Sequence, residues 1–270
     1  RYTHSNSDKT SISNNRVYYT YQDSRQRIWV CTFGGGLNLI EENGGKTVFR
    51  HRNNGMANYP HYDLYLNTRA IAEDRLGRLW VGTTDGLMSL QGTFKGVKDI
   101  KFETYREHND TRLADNDIFS LYKDHNGDIW MGIFGSGLNK LEGYDKVRRR
   151  PVVKSYNLPG LQDGDVVSSL VEDSHKCLWI CTEKGLSSIK QGSMFARSYD
   201  RFSGFPDVNI EDNTSICLSN GNILIGCRQG LIMFNPANVE KENNKRYNTF
   251  IVDFKVQNMA LSEFNPPIYE

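Results

Sequence analysis

A tryptophan that returns at a nearly fixed interval is what most constrains this chain. Trp29, Trp80, Trp130 and Trp179 are its only tryptophans, and the steps between them are 51, 50 and 49 residues. Each stands six residues after an aspartate: Asp23, Asp74, Asp124 and Asp173. A degraded fifth copy follows 45 residues on, with Leu218 and Leu224 in the two places. Six or seven residues past each Trp position comes a Gly-Leu pair: Gly36-Leu37, Gly86-Leu87, Gly137-Leu138, Gly185-Leu186 and Gly230-Leu231. Self-similarity at this period means an array of small units, each of which buries its apolar surface against the next.

Each copy holds several short apolar or aromatic stretches and no convincing helical period. One precedes the Asp, as in residues 17–21 or 166–171; one carries the Trp; one follows the Gly-Leu pair, as in residues 37–40. Four copies add a fourth stretch with an aromatic: Val48-Phe49, and those ending at Tyr105, Tyr156 and Tyr199. Four strands in about 50 residues describe a propeller blade. The expected fold is therefore all-β: a β-propeller of four-stranded blades, five of them present. The Trp stretch is almost continuously apolar, as a strand buried on both faces requires. Two residues past the Trp position, on the same face, the copies read Cys31, Gly82, Gly132, Cys181 and Gly226, all small enough for a neighbouring sheet to come close. The Asp-x-x-Gly turns at Asp74 and Asp124 suit tight hairpins, with Gln26 and Lys176 in the Gly place elsewhere. The blade cores are expected near 17–52, 68–105, 118–156, 166–199 and 212–234, within a propeller spanning 1–236.

The pattern Asp-x-x-Gly-x-(Leu/Ile)-Trp-(Val/Ile)-Gly-Thr followed by Gly-Leu-Asn is plainest in residues 74–87 and 124–141. It resembles the two-component regulator propeller repeat. That resemblance covers about residues 11–236. It implies the extracytoplasmic sensor region of a hybrid two-component protein, in which one polypeptide joins sensor, histidine kinase and response regulator. Such proteins are best known from gut anaerobes that degrade polysaccharides. The family places a small β-sandwich, the Y_Y_Y domain, after seven-bladed propellers. The resemblance thus implies that the five blades are part of a seven-bladed ring, that 237–249 are a linker, and that 250–270 open the sandwich, with residues 250–256 as its first strand. Arg1 reads as a cut inside a longer protein. The implied location is the periplasmic region of an inner-membrane protein, reaching the membrane only through the parent.

Composition narrows the rest. Lys and Arg number 33 against 32 Asp and Glu, a net charge of +1, which argues against nucleic-acid binding by this region. The five cysteines form no CxxC, so neither a disulfide framework nor a zinc site is expected; Cys31 and Cys181, in the Gly place, read as inert thiols. The six histidines have no metal-ligand spacing. No metal and no cofactor are expected.

Core packing outweighs sugar stacking for the four Trp, and turn capping outweighs metal binding for Asp23, Asp74, Asp124 and Asp173. Ligand contacts are expected from the variable loops at one mouth of the channel. The candidates are Tyr59, His61 and Tyr62 in the loop joining the first two blades, and Asp85, Phe134, Glu183, Lys184 and Arg228 after the Trp strands. Aromatic, His and Asp side chains suit a carbohydrate; a solvated loop or inter-domain contact is the plainer reading. The basic run 146–150 reads as a solvated turn. Three functions remain open. The chain is a non-catalytic sensor of an oligosaccharide that acts with other domains of its polypeptide or as a homodimer; or a polysaccharide lyase or hydrolase, for which Asp63, Asp85 and Glu183 are the loop carboxylates to test; or a protein-interaction scaffold.

Overall fold

A computed structural model describes residues 1–60, 63–107, 113–156, 166–183, 185–190, 192–193, 195–200 and 203–242, together with 255–256 and 259–260. The chain divides into two compact units, residues 1–235 and 236–270. The first is the propeller. Its first blade is β1 (Val17–Gln22), β2 (Ile28–Thr32), β3 (Gly36–Asn43) and β4 (Lys46–Arg50). The second is β5 (Thr68–Glu73), β6 (Arg78–Thr83), β7 (Gly86–Gln91) and β8 (Phe102–Tyr105). The third is β9 (Ile118–Lys123), β10 (Ile129–Ile133), β11 (Gly137–Asp145) and β12 (Arg150–Tyr156). The fourth is β13 (Val167–Glu172), β14 (Cys177–Thr182), β15 (Gly185–Lys190) and β16 (Arg197–Tyr199). The fifth has three strands, β17 (Ile210–Cys217), β18 (Ile223–Cys227) and β19 (Gly230–Phe234). Every blade is an antiparallel meander in chain order. In the second unit, α1 (Pro236–Glu242) begins where a linker was expected, and β20 (Lys255–Val256) pairs with β21 (Met259–Ala260). Of the strand expected at 250–256, residues 250–254 lie outside the described residues.

The Asp–Trp repeat is a clasp. One carboxylate oxygen of each Asp accepts the indole N–H six residues on: Trp29 to Asp23, Trp80 to Asp74 and Trp130 to Asp124 at 2.9 Å, Trp179 to Asp173 at 2.8 Å. The other oxygen accepts two backbone N–H groups of the hairpin, as Asp74 does from Leu76 and Arg78 at 2.8 and 3.0 Å. One side chain thus satisfies three donors that the tight turn would otherwise leave unpaired. The turn needs a left-handed residue: Gly77 and Gly127 supply it freely, while Gln26 (φ 63°) and Lys176 (φ 65°) adopt it under strain.

Blades stack through the small residues two past each Trp. A β-carbon on Gly82 would stand 2.8 Å from Ile118 of the third blade, and one on Gly132 would collide with the Val167 carbonyl of the fourth. The first and second blades are tied further by Glu73, which takes the Ser24 hydroxyl and N–H at 2.7 Å and Arg25 at 3.3 Å, while its own N–H reaches the Tyr21 hydroxyl at 3.2 Å. The third and fourth repeat the device. Glu172 takes the His125 N–H at 2.9 Å and its ring at 2.5 Å, and the Glu172 backbone binds the Tyr122 hydroxyl. The fifth blade is the bare one: Leu231 is 72% exposed, although its counterparts Leu37, Leu87, Leu138 and Leu186 are all buried.

Candidate ligand-binding site

In the first four blades the innermost strand carries a β-bulge at one register position, five residues before the Asp. The extra residue is Tyr18, Arg69, Phe119 or Ser168. A bulge re-aims the side chain it releases. The residue four past the Trp, Phe33, Thr84, Phe134 or Glu183, follows the neighbouring strand of the same blade. For Phe33, Thr84 and Phe134 the backbone N–H is held by the carbonyl just ahead of the inner strand, on Arg16, Asn67 and Asp117. Tyr18 stacks on Phe33 (centroids 5.3 Å, 26°) and Phe119 on Phe134 (6.3 Å, 25°). In the fifth blade the bulge grows. Ile210 pairs with Cys227 and Ser215 with Ile225, leaving four residues, 211–214, opposite Gly226 alone. Asn213 takes φ 54° there, and its side chain donates to the carbonyls of Phe119 (2.9 Å) and Arg69 (3.4 Å).

Arg69 is the centre of this mouth. Its guanidinium meets Asp117 at 3.3 Å and Asp212 at 3.4 Å and lies 3.9 Å from the Phe119 ring centroid. Nε of Arg69 and Oδ1 of Asp117 are buried with no hydrogen-bond partner among the described residues. Burial raises the carboxyls of both Asp117 and Asp212, against the lowering pull of Arg69; Asp85 adds to the rise at Asp117 and Glu183 to that at Asp212. The rim therefore offers aromatic faces, the guanidinium groups of Arg69 and Arg228, and several carboxyl groups.

Four of the sequence candidates fall here. Phe134 is half-exposed on the Phe119 stack, Asp85 accepts from the Tyr65 N–H (3.2 Å) and Thr84 hydroxyl (3.0 Å), Glu183 acts on Asp212, and Arg228 lies 3.6 Å from Glu211. Tyr59 does not. It is buried against Phe102, and its hydroxyl accepts the Leu37 N–H (3.1 Å) and donates to the Tyr65 carbonyl (2.8 Å), so it offers a ligand nothing. His61, Tyr62 and Lys184 lie outside the described residues. Asp63 is 97% exposed on the side chain, 4.0 Å from Arg52. Sequence reasoning missed Arg69, Asp117, Phe119 and Asp212. The available signal was residue variety at one fixed place, Tyr18, Arg69, Phe119 and Ser168, inside strands that otherwise repeat.

Burial pushes the thiols of Cys31 and Cys181 up to about 12, so both are inert at neutral pH. Among the described residues no helix is long and apolar enough to cross a membrane.

Four blades that each hang on one Asp–Trp clasp, and that vary at one rim, define a repeat propeller with a variable mouth. The particular repeat is the two-component regulator propeller, whose family model matches residues 11–34, 65–85, 112–135 and 160–184, and the chain carries this family's repeats in its first four blades. The chain is 26% identical over 254 residues to histidine kinase P4 of Formosa agariphila, covering 91% of this chain and 17% of that protein. It thus spans about one sixth of its curated relative. Among solved structures it is similar to the extracellular domain of BT3049 of B. thetaiotaomicron, assigned as a hybrid two-component system (TM-score 0.59, 18% identity, 94% of this chain, 39% of that one). A catalytically inactive virginiamycin B lyase from Staphylococcus aureus shares the fold at 16% identity (TM-score 0.54, 87% of this chain, 73% of that one).

Proposed function

We propose that this chain is part of the extracytoplasmic sensor region of a hybrid two-component protein, non-catalytic in itself, and that an oligosaccharide bound at the Arg69 mouth is its signal. One observation carries the reading. Two register positions that vary from blade to blade put stacked aromatic pairs and a guanidinium on one rim, beside the carboxyl groups of Asp117 and Asp212, while the positions that repeat do structural work. Aromatic faces beside charged hydrogen-bonding groups suit a sugar ring, whose C–H face is apolar and whose hydroxyls donate and accept. The histidine kinase relative and the extracellular sensor-type neighbour support the signalling context. The parent would lie in the inner membrane, with this region periplasmic and in contact with other sensor domains or a second copy. A ligand drives such a switch only by binding one arrangement of those partners better than another.

Calorimetric titration with a panel of oligosaccharides, run beside a turnover assay, tests this. The expected result is binding without product, weakened about tenfold or more by Phe134→Ala or Arg69→Ala. Product formation would make the chain an enzyme, and binding indifferent to both variants would remove the ligand from this mouth.

A further inference from the structure

The four tryptophans are not equivalent. Trp29, Trp80 and Trp179 are fully buried, and each meets an aromatic ring of the following blade: Phe94 at 6.3 Å, Tyr144 at 6.4 Å and Phe234 at 5.0 Å. Trp130 is only half-buried and, among the described residues, has no such cover; the fourth blade brings Gly192 and Ser193 there instead. The result is a cleft of about 280 Å³ between the third and fourth blades, at the hairpin end opposite the mouth.

The cleft has an aromatic wall and a cationic rim. Trp130 and Tyr156 lie 5.1 Å apart at 56°. Lys140 Nζ sits 4.9 Å from the Trp130 centroid and Lys154 Nζ 5.1 Å from that of Tyr156; Lys176 lines the same space. Both carboxylates in the lining are already engaged, Asp124 by the Trp130 clasp and Glu172 by His125. Lys140 pairs with Asp128 at 2.8 Å and Lys154 stands 3.7 Å from Glu142, both outside the lining. The lining holds three ammonium groups against two carboxylates, and Lys176 has no ion pair among the described residues, which leaves it for an anion.

We propose that this cleft is a second binding site and takes an acidic sugar ring, a uronate or a sulfate ester, packed on Trp130 and Tyr156 with its anion toward Lys154 and Lys176. A neutral sugar would use the wall but leave the ammonium groups to water. An inorganic anion would do the reverse.

The test is tryptophan fluorescence titration with three probes: a uronate-containing disaccharide, its neutral counterpart and inorganic sulfate. The uronate is expected to shift the emission, the neutral sugar to bind at least about tenfold more weakly, and sulfate to leave emission unchanged. Charge reversal at the exposed Lys154 (Lys154→Glu), which touches no core, and the double variant Lys154→Ala, Lys176→Ala should each weaken uronate binding about tenfold. Phe134→Ala at the mouth should leave this titration unaltered. Equal affinity for the neutral sugar, absence of any shift, or indifference to both lysine variants would overturn the proposal. A loss in Phe134→Ala alone would assign the signal to the mouth instead.

Discussion

At the scale of single residues, this protein rests on carboxylates that each do several jobs. Asp74 satisfies two hairpin N–H groups and one indole, so Asp74→Ala is expected to cost about 2–4 kcal/mol in urea unfolding, because three donors lose their acceptor together. Glu103 is a second hub. Burial alone would raise its carboxyl, but Arg78 (2.6 Å), Arg149 (3.0 Å) and the hydroxyls of Tyr105 (2.8 Å) and Tyr144 (3.0 Å) outweigh it and hold the group at about 2. A carboxylate depressed in the folded state stabilises above its unfolded pKa and loses that contribution as pH falls. Between about pH 4.5 and 2 the protein should therefore lose roughly 1–2 kcal/mol from this group, after allowance for solvent screening. Glu103→Gln should flatten that acid limb in denaturation curves recorded across the range. The clasp aspartates were legible in the sequence because their partner is a fixed six residues away. Glu103 was not, because Arg78 comes from another strand of its blade, 25 residues away, and Tyr144 and Arg149 from the next blade, which only the stacking of blades brings near.

Among the elements, strand register explains both what the sequence revealed and what it hid. The period of the Trp and Gly-Leu positions gives strands and blades directly, since side-chain direction alternates and small residues must fall where sheets touch. Gly132 marks such a contact, while Gly143 faces open space without a left-handed backbone. Gly132→Ala should thus cost about 2–3 kcal/mol, whereas Gly143→Ala should be neutral or mildly stabilising; thermal melts of the pair check this. The bulges could not be foreseen in the same way. A bulge is a mismatch between two strands, visible only once both are paired. Arg69 and Phe119 sit on bulges, so the centre of the mouth stayed hidden while its outlying members, Asp85 and Phe134, were recognised as loop residues. Tyr59 misled for the opposite reason. Its loop is variable in length and composition, yet its ring fills the space over Gly36, whose β-carbon would lie 2.6 Å from the Tyr59 hydroxyl.

Across the whole molecule, stability should grade along the chain, because each blade is supported by its neighbours. The fifth has three strands and leaves Leu231 and Met233 exposed, so its amides should exchange with solvent fastest among the blades, ahead of those around Trp80. Native-state hydrogen exchange read by mass spectrometry measures the order directly. Uniform protection across the five would contradict it.

The glutamate ties carry a practical lesson about where this chain tolerates cutting. Tyr21 with Glu73 and Tyr122 with Glu172 mark the first–second and third–fourth boundaries; Ala72 with Lys123, and Val171 with Cys217, hold the same places at the other two and cannot make the tie. The device recurs after 101 residues for the tyrosines and 99 for the glutamates, twice the Trp spacing. What repeats is therefore a doublet. A fragment ending after the second or fourth blade keeps every tie closed, whereas one ending at Tyr156 strips Tyr122 and His125 of their partner. Anyone trimming or grafting these blades should count in pairs.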